Sequence, residues 1–246
     1  MSPMTHGLAW PDVPQSAVVL VPVGSFEQHG PHLPMHTDTT IAAAVAEHAA
    51  RRLDAETSTG RHLAAPAIPY GASGEHQDFP GTMSIGSAAL ETVLVELVRS
   101  LSTWAGRVVF VSGHGGNLDG LGSAVTRLAA EGHDVSWVPC SIPGGDAHAG
   151  HTETSLMLHL AHSEVDMSRA VRGNCADLHD LLPAMVAGGV RPVSASGVLG
   201  DPRGACARTG AAILRTMTDD VVARIRCGRP DARGALLPAE AAWART

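Results

Sequence analysis

The chain has 246 residues, 44% apolar and 17% charged, with a net charge of −7 from 17 basic and 24 acidic residues. A chain of this length buries roughly 70% or more of its unfolded surface, so a full core is expected within one α/β domain spanning 1–246. The acidic excess is scattered and there are only 1 Tyr and 3 Phe, so neither the basic stripe nor the stacking platforms of a nucleic-acid binder are expected.

The first eleven residues lack a basic stretch leading into a long apolar one, and no apolar run reaches about 18 residues. Neither a secretory signal nor a membrane span is expected. Cys140, Cys175, Cys206 and Cys227 form no C-x-x-C pair, which fits reduced thiols in the cytoplasm.

In chain order, residues 17–23 (Ala-Val-Val-Leu-Val-Pro-Val) form a continuous apolar run, the pattern of a strand buried on both faces. Residues 39–53 are Ala-rich and predict a helix, with Asp38 or Thr39 as its N-cap. Residues 63–68 predict a second short strand. The Gly/Pro-rich stretch 69–86 is a loop of a length that is more often functional than structural. Residues 87–100 carry Leu90, Val93, Leu94, Leu97 and Val98 on a helical period, with Ser87 as cap. A strand over 107–111 follows, then the turn Ser-Gly-His-Gly-Gly-Asn (112–117), with Asn117 capping a helix over 118–131. A strand over 135–138, a Gly-rich loop over 141–150 and a helix over 152–161 come next. Residues 162–210 are irregular and predict a lid, an added layer or an interface. A closing helix covers 211–226, and the last twenty residues read as loosely held.

Strands alternating with helices predict a mostly parallel sheet covered on both faces. Ligands of such sheets bind outside the carboxyl ends of the strands. The residues capable of chemistry fall there. Glu27, His29 and Asp38 follow the first strand, His114 the third, and Asp146, His148 and Glu153 the fourth. Glu27 and His29 are two residues apart, so an extended chain points both to one side. Asp38 can cap a helix or bridge two ions, and Glu153 opens a helix whose dipole favours negative charge. Three carboxylates and two imidazoles suit Zn²⁺, Fe²⁺ or Mn²⁺ better than Mg²⁺ or Cu²⁺. A pair of such ions can polarise a carbonyl and activate water, which implies metal-assisted amide hydrolysis. No H-E-x-x-H helix, P-loop or nucleophile elbow competes with this reading.

These segments resemble the creatininase family of metal-dependent amidohydrolases. The matching stretches are Val21 through Pro34, Thr37-Asp38-Thr39, Ile68-Pro69-Tyr70-Gly71, Glu75-His76, Phe79-Pro80-Gly81-Thr82, Gly113-His114-Gly115-Gly116-Asn117, and His148-Ala149-Gly150 with Glu153-Thr154-Ser155. They run in order across about 18–160. The resemblance implies a three-layer α/β/α sandwich, two divalent metal ions, an amide substrate and a homo-oligomer, usually a hexamer. It makes Glu27 and His114 ligands of one ion, His29 a ligand of the other and Asp38 the bridge. Creatinine-hydrolysing members carry a glutamate where this chain has Gly116, so Glu153 becomes the candidate to complete the second ion. His148 becomes a candidate proton shuttle or oxyanion stabiliser.

The loop 141–147 holds no aromatic residue, which argues against a creatinine pocket. The details look most like a peptide-cutting branch of the family. That branch implies a modified ribosomal precursor peptide as substrate, from which a C-terminal, decarboxylated and cross-linked Val-Tyr unit is released. Creatinine and a formamidopyrimidine are the alternative substrates, and a metal-stabilised binding protein without turnover is the alternative of another class. His32 and His36 match no ligand position and are expected in the pocket wall or behind the ligands.

Overall fold

The computed structural model describes residues 4–57 and 61–238. Its centre is a four-stranded parallel sheet built from β1 (Ala17–Val23), β2 (His62–Ala64), β3 (Ala105–Ser112) and β4 (Val135–Pro139), in the order β2-β1-β3-β4. Side chains alternate across it with the period of two that a strand imposes. Leu20, Val109 and Val111 point to one face, and Val19, Val21, Val108 and Phe110 to the other.

The first face is covered by α1 (Thr37–Thr57), α4 (His151–Leu160) and α6 (Ala207–Cys227). In α1 the buried residues Ile41, Val45, Ala49 and Leu53 recur every fourth position, so one stripe of the helix meets the sheet. The second face is covered by α2 (Gly86–Leu101) and α3 (Leu118–Ala130), through Leu90, Leu94, Val98, Leu121, Val125 and Leu128. The result is the expected α/β/α sandwich. No described helix is long and apolar enough to cross a membrane, and all four cysteines are free thiols.

The chain leaves β1 for β2 on one side and returns to β3 on the other. The carboxyl ends of β1 and β3 therefore flank the point where strand order reverses, which is where such sheets bind ligands. The start of α1 sinks into this point. A Cβ on Gly24 would lie 2.2 Å from Thr39 Oγ1, and one on Gly113 would lie 2.5 Å from the Asp38 carbonyl oxygen. Only a bare backbone after each strand lets the first turn of α1 approach so closely.

Several local expectations change. The helix begins at Thr37, two residues early, so Asp38 lies inside its first turn and its side chain serves the site instead of capping. The strand expected over 63–68 stops at Ala64, two residues before Pro66; beyond it the Ala65 amide donates to the Leu20 carbonyl and Ile68 bridges back to Val23. Ser87 does not cap α2; the Ser84 hydroxyl accepts from the Gly86 and Ser73 amides. Asn117 precedes α3 but makes no cap bond. Its Oδ1 accepts from the Ala72 amide at 2.8 Å and its Nδ2 donates to the Gly24 carbonyl at 2.9 Å, tying loop 69–86 to the end of β1.

Residues 162–210 contain a further helix, α5 (Leu178–Gly188), which packs over the loop at Glu75 and Phe79. The segment after α6 is not loose through residue 238. The Trp137 amide donates to the Gly234 carbonyl and the Leu236 amide to the Trp137 carbonyl, around the bridge to Ala235, and Leu236 is buried. Residues 239–246 lie outside the described residues.

Candidate metal centre

Glu27, His29, Asp38 and His114 meet at the reversal point, all buried. His29 Nε2 stands 3.1 Å from Asp38 Oδ1 and 3.8 Å from Glu153 Oε2. His114 Nε2 stands 3.1 Å from Glu27 Oε2, and its Nδ1 3.4 Å from Asp38 Oδ2. Asp38 thus reaches both imidazoles, one with each oxygen. Glu153 faces His29 from the first turn of α4, while its Oε2 accepts from the Ala149 amide at 2.6 Å. All five expected metal-ligating residues are therefore brought together.

His148 joins them. Its ring lies 4.3 Å from that of His29 and its Nδ1 3.8 Å from Glu27 Oε1. Its Nε2 lies 2.8 Å from the Gln28 carbonyl oxygen, to which it donates when the proton sits there. The Gln28 amide then spends its two hydrogens on His76 Nδ1 at 2.8 Å and the Gly197 carbonyl at 3.2 Å. With the proton on Nε2, His148 presents a lone pair on the side of Glu27.

Donor atoms of Glu27, His29 and Asp38 lie within 4.8 Å of one another, as do those of His29, His148 and Glu153, and those of Glu27, His76 and His148.

Two residues in this shell had no role from sequence. His76 is buried, with Nε2 3.3 Å from Glu27 Oε1. Glu75 reaches His114 Nε2 at 3.2 Å through Oε1. Both lie in loop 69–86, where the length of the loop and the family-like Glu75-His76 pair were the signals available, though neither assigned a role. His32 is buried behind the site and pairs with the Thr154 hydroxyl at 2.9 Å. His36 does not line the pocket; it turns outward to Glu164 at 3.0 Å.

The electrostatics show whether a cation fits. Glu27 Oε1, Glu27 Oε2 and Asp38 Oδ2 are buried without a hydrogen-bond partner. Such orphaned carboxylate oxygens are costly unless a charge compensates them. Burial pushes the Glu27 carboxyl up to about 8 even though His114 pulls it down, and burial carries Glu153 to about 7 against the pull of His29. Burial alone would depress His29 and His114, but Asp38 beside the first and Glu27 beside the second outweigh it and raise each to about 10. His148 moves the other way, held well below the usual imidazole range by burial and by His29 and His76. A site that draws in protons on both acids and imidazoles is short of positive charge. Divalent cations supply that charge, and the mixed oxygen and nitrogen donors suit Zn²⁺, Fe²⁺ or Mn²⁺.

A cavity of about 320 Å³ opens beside His114 and Glu153. Ile142, Leu156, Leu178 and Met217 form its apolar side, and no Phe, Tyr or Trp lines it.

The fold and this cluster place the chain in a class of hydrolases. It belongs to the creatininase family, described as creatinine amidohydrolase, which it matches over residues 6–225. Among its relatives, it is 53% identical over 219 residues to the mycofactocin precursor peptide peptidase of Mycolicibacterium smegmatis, covering 89% of this chain and 88% of that protein. The protein of the same name from Mycobacterium tuberculosis is 54% identical over 224 residues, covering 90% and 89%. The creatinine amidohydrolase of Pseudomonas putida is 30% identical over 241 residues, covering 85% and 88%. Among solved structures, a creatininase complexed with creatine superposes with a TM-score of 0.72 at 27% identity, covering 92% of this chain and 98% of that one.

Proposed function

We propose that the protein is a metal-dependent peptide hydrolase that cuts the modified mycofactocin precursor peptide and releases its C-terminal Val-Tyr-derived unit. One observation carries the hydrolytic reading: three orphaned carboxylate oxygens, on Glu27 and Asp38, buried among imidazoles beside an open cavity. The peptide substrate is supported by the relatives above and by a cavity wall that is aliphatic where a small planar ring would call for an aromatic face.

Glu27, His29, Asp38, His114 and Glu153 would hold two divalent ions, with Asp38 shared. When bound, such ions polarise an amide carbonyl and activate water near neutral pH. The chain supplies the rest. The Gln28 carbonyl would hold the His148 proton on Nε2, which would leave the Nδ1 lone pair toward Glu27 and the ions. Glu153 lies on the cavity wall with its carboxyl raised to about 7. From the cavity wall, 3.8 Å from His29, it would pass the proton released by the attacking water to the departing amine nitrogen. Leu178, Leu182 and Val186 form an exposed apolar stripe at four-residue spacing on α5, and a homo-oligomer would cover it.

The test is to incubate metal-loaded protein with the modified precursor, creatinine and a formylaminopyrimidine, and to follow new amine by mass spectrometry. Cleavage of the precursor well ahead of the two small amides is expected. Faster turnover of either small amide sinks the peptidase reading, and metal bound without any product points to a binding protein.

A further inference from the structure

Loop 69–86 and α5 carry a feature that the five expected ligands do not explain. Gly116 stands two residues after His114 with no side chain, and the room it leaves is filled. A Cβ built there would lie 2.5 Å from Glu75 Oε1, 2.5 Å from His114 Nε2 and 2.3 Å from the Ala72 carbonyl oxygen. The Glu75 carboxylate has therefore entered the space of the missing side chain. There its Oε1 lies 3.2 Å from His114 Nε2, while Glu27 Oε2 lies 3.1 Å from the same nitrogen. Glu27 is wholly buried with both oxygens unpartnered.

The backbone of Glu75 is fixed from the other side by the end of α5. The Val190 amide donates to the Glu75 carbonyl at 2.8 Å. Gly189 has φ +73, and a Cβ there would lie 2.7 Å from that carbonyl oxygen, so the contact requires glycine twice over. Arg191 Nη1 donates to the Asp78 carbonyl at 2.8 Å and its guanidinium covers the Phe79 ring. The loop is clamped at 75, 78 and 79 by one short stretch after α5. Such a clamp holds a carboxylate within the tolerance a working site needs.

We propose that Glu75 is a further carboxylate of the metal centre, seated in the space left by Gly116 and held there by the turn after α5. The inference rests on the metal-centre reading above. Residues 178–193 thereby acquire a role, which is to position a ligand.

The experiment is a metal titration of Glu75→Gln and Glu75→Ala against a chromophoric chelator, with thermal melting of the metal-free proteins alongside. Glu75 is 26% exposed and glutamine has its shape, so the metal-free Tm is expected to hold. Metal affinity is expected to fall about tenfold or more, and the visible absorption of the Co²⁺-substituted protein to change with it. Affinities within twofold of wild type together with an unchanged Co²⁺ spectrum in Glu75→Gln overturn the proposal. No substrate enters the titration, so failure of the peptidase reading would show only in the turnover assay and leave this result standing.

Discussion

Val23 and Glu27 are four residues apart and both are 0% exposed, yet their burial has opposite consequences. In the middle of the sheet, Val19, Leu20, Val21, Val109 and Phe110 leave water for apolar neighbours, and each such burial stabilises the fold by about 1.5–3 kcal/mol. At the carboxyl edge, Glu27, His29, Asp38 and His114 leave water for one another. Three of the four carboxylate oxygens of Glu27 and Asp38 remain unpaired, and the chain bears that cost wherever no cation occupies the site. The stability of the fold and the function of the site are therefore separable, although they lie along the same strands.

Substitutions in the two regions test that separation, beginning with the largest effect. Asp38→Ala removes the one carboxylate that reaches both imidazoles. Turnover is expected to fall about a thousandfold or more, with bound metal falling alongside it. Two retained ions and near-native activity would remove Asp38 from the bridge. Phe110→Ala cuts a wholly buried side chain in β3 and is expected to cost about 3–5 kcal/mol in denaturant unfolding. The metal affinity of the folded fraction should not move; if it drops in parallel, the two regions are not separable.

Glu27→Gln is expected to abolish metal binding, and a metal-free stability at pH 8.5 no lower than that of wild type would show that His114 does not compensate the buried carboxylate. A less stable metal-free variant would show that the cluster satisfies itself without a cation.

The smallest effect is a slope with pH. His29 and His114 are raised from 6.5 to about 10 in the fold, so their protonated forms contribute stability that is complete below pH 6.5 and fades as pH approaches 10. Glu27, raised from 4.5 to about 8, acts in the same direction over its own range. His32 and His76, lowered to about 4, oppose this only between pH 4 and 6.5. The Tm of chelator-treated protein should therefore decline from pH 6.5 to 9, and the gain from added metal should grow over the same interval. Melting curves at several pH values read this directly, and a metal-free Tm that is flat or rising would contradict it.

The sheet and its helices were legible because their signals are local. The apolar runs at 17–23 and 107–111 and the four-residue repeat of Ile41, Val45, Ala49 and Leu53 need no knowledge of distant residues. The candidate site was legible at Glu27, His29, Asp38, His114 and Glu153 because each lies at a strand end or helix start that can be read nearby. Asp38 could be read as a helix cap or as a bridge, and Asn117 misled as a cap, since a cap and a site residue share both residue type and position. What decided between them was a partner far along the chain: His114 for Asp38, Ala72 and Gly24 for Asn117.

The amino-acid sequence by itself determined the α/β/α layering, the edge of the sheet where chemistry collects and the family to which the chain belongs, because periodicity and short motifs are properties of neighbouring residues. Only the tertiary structure decided that loop 69–86 returns His76 and Glu75 to the cluster, that the turn after α5 holds that loop, and that Glu75 fills the space beside Gly116. Those are contacts between side chains and backbone tens of residues apart. No local pattern encodes them, because packing chooses among the many places an irregular loop can go.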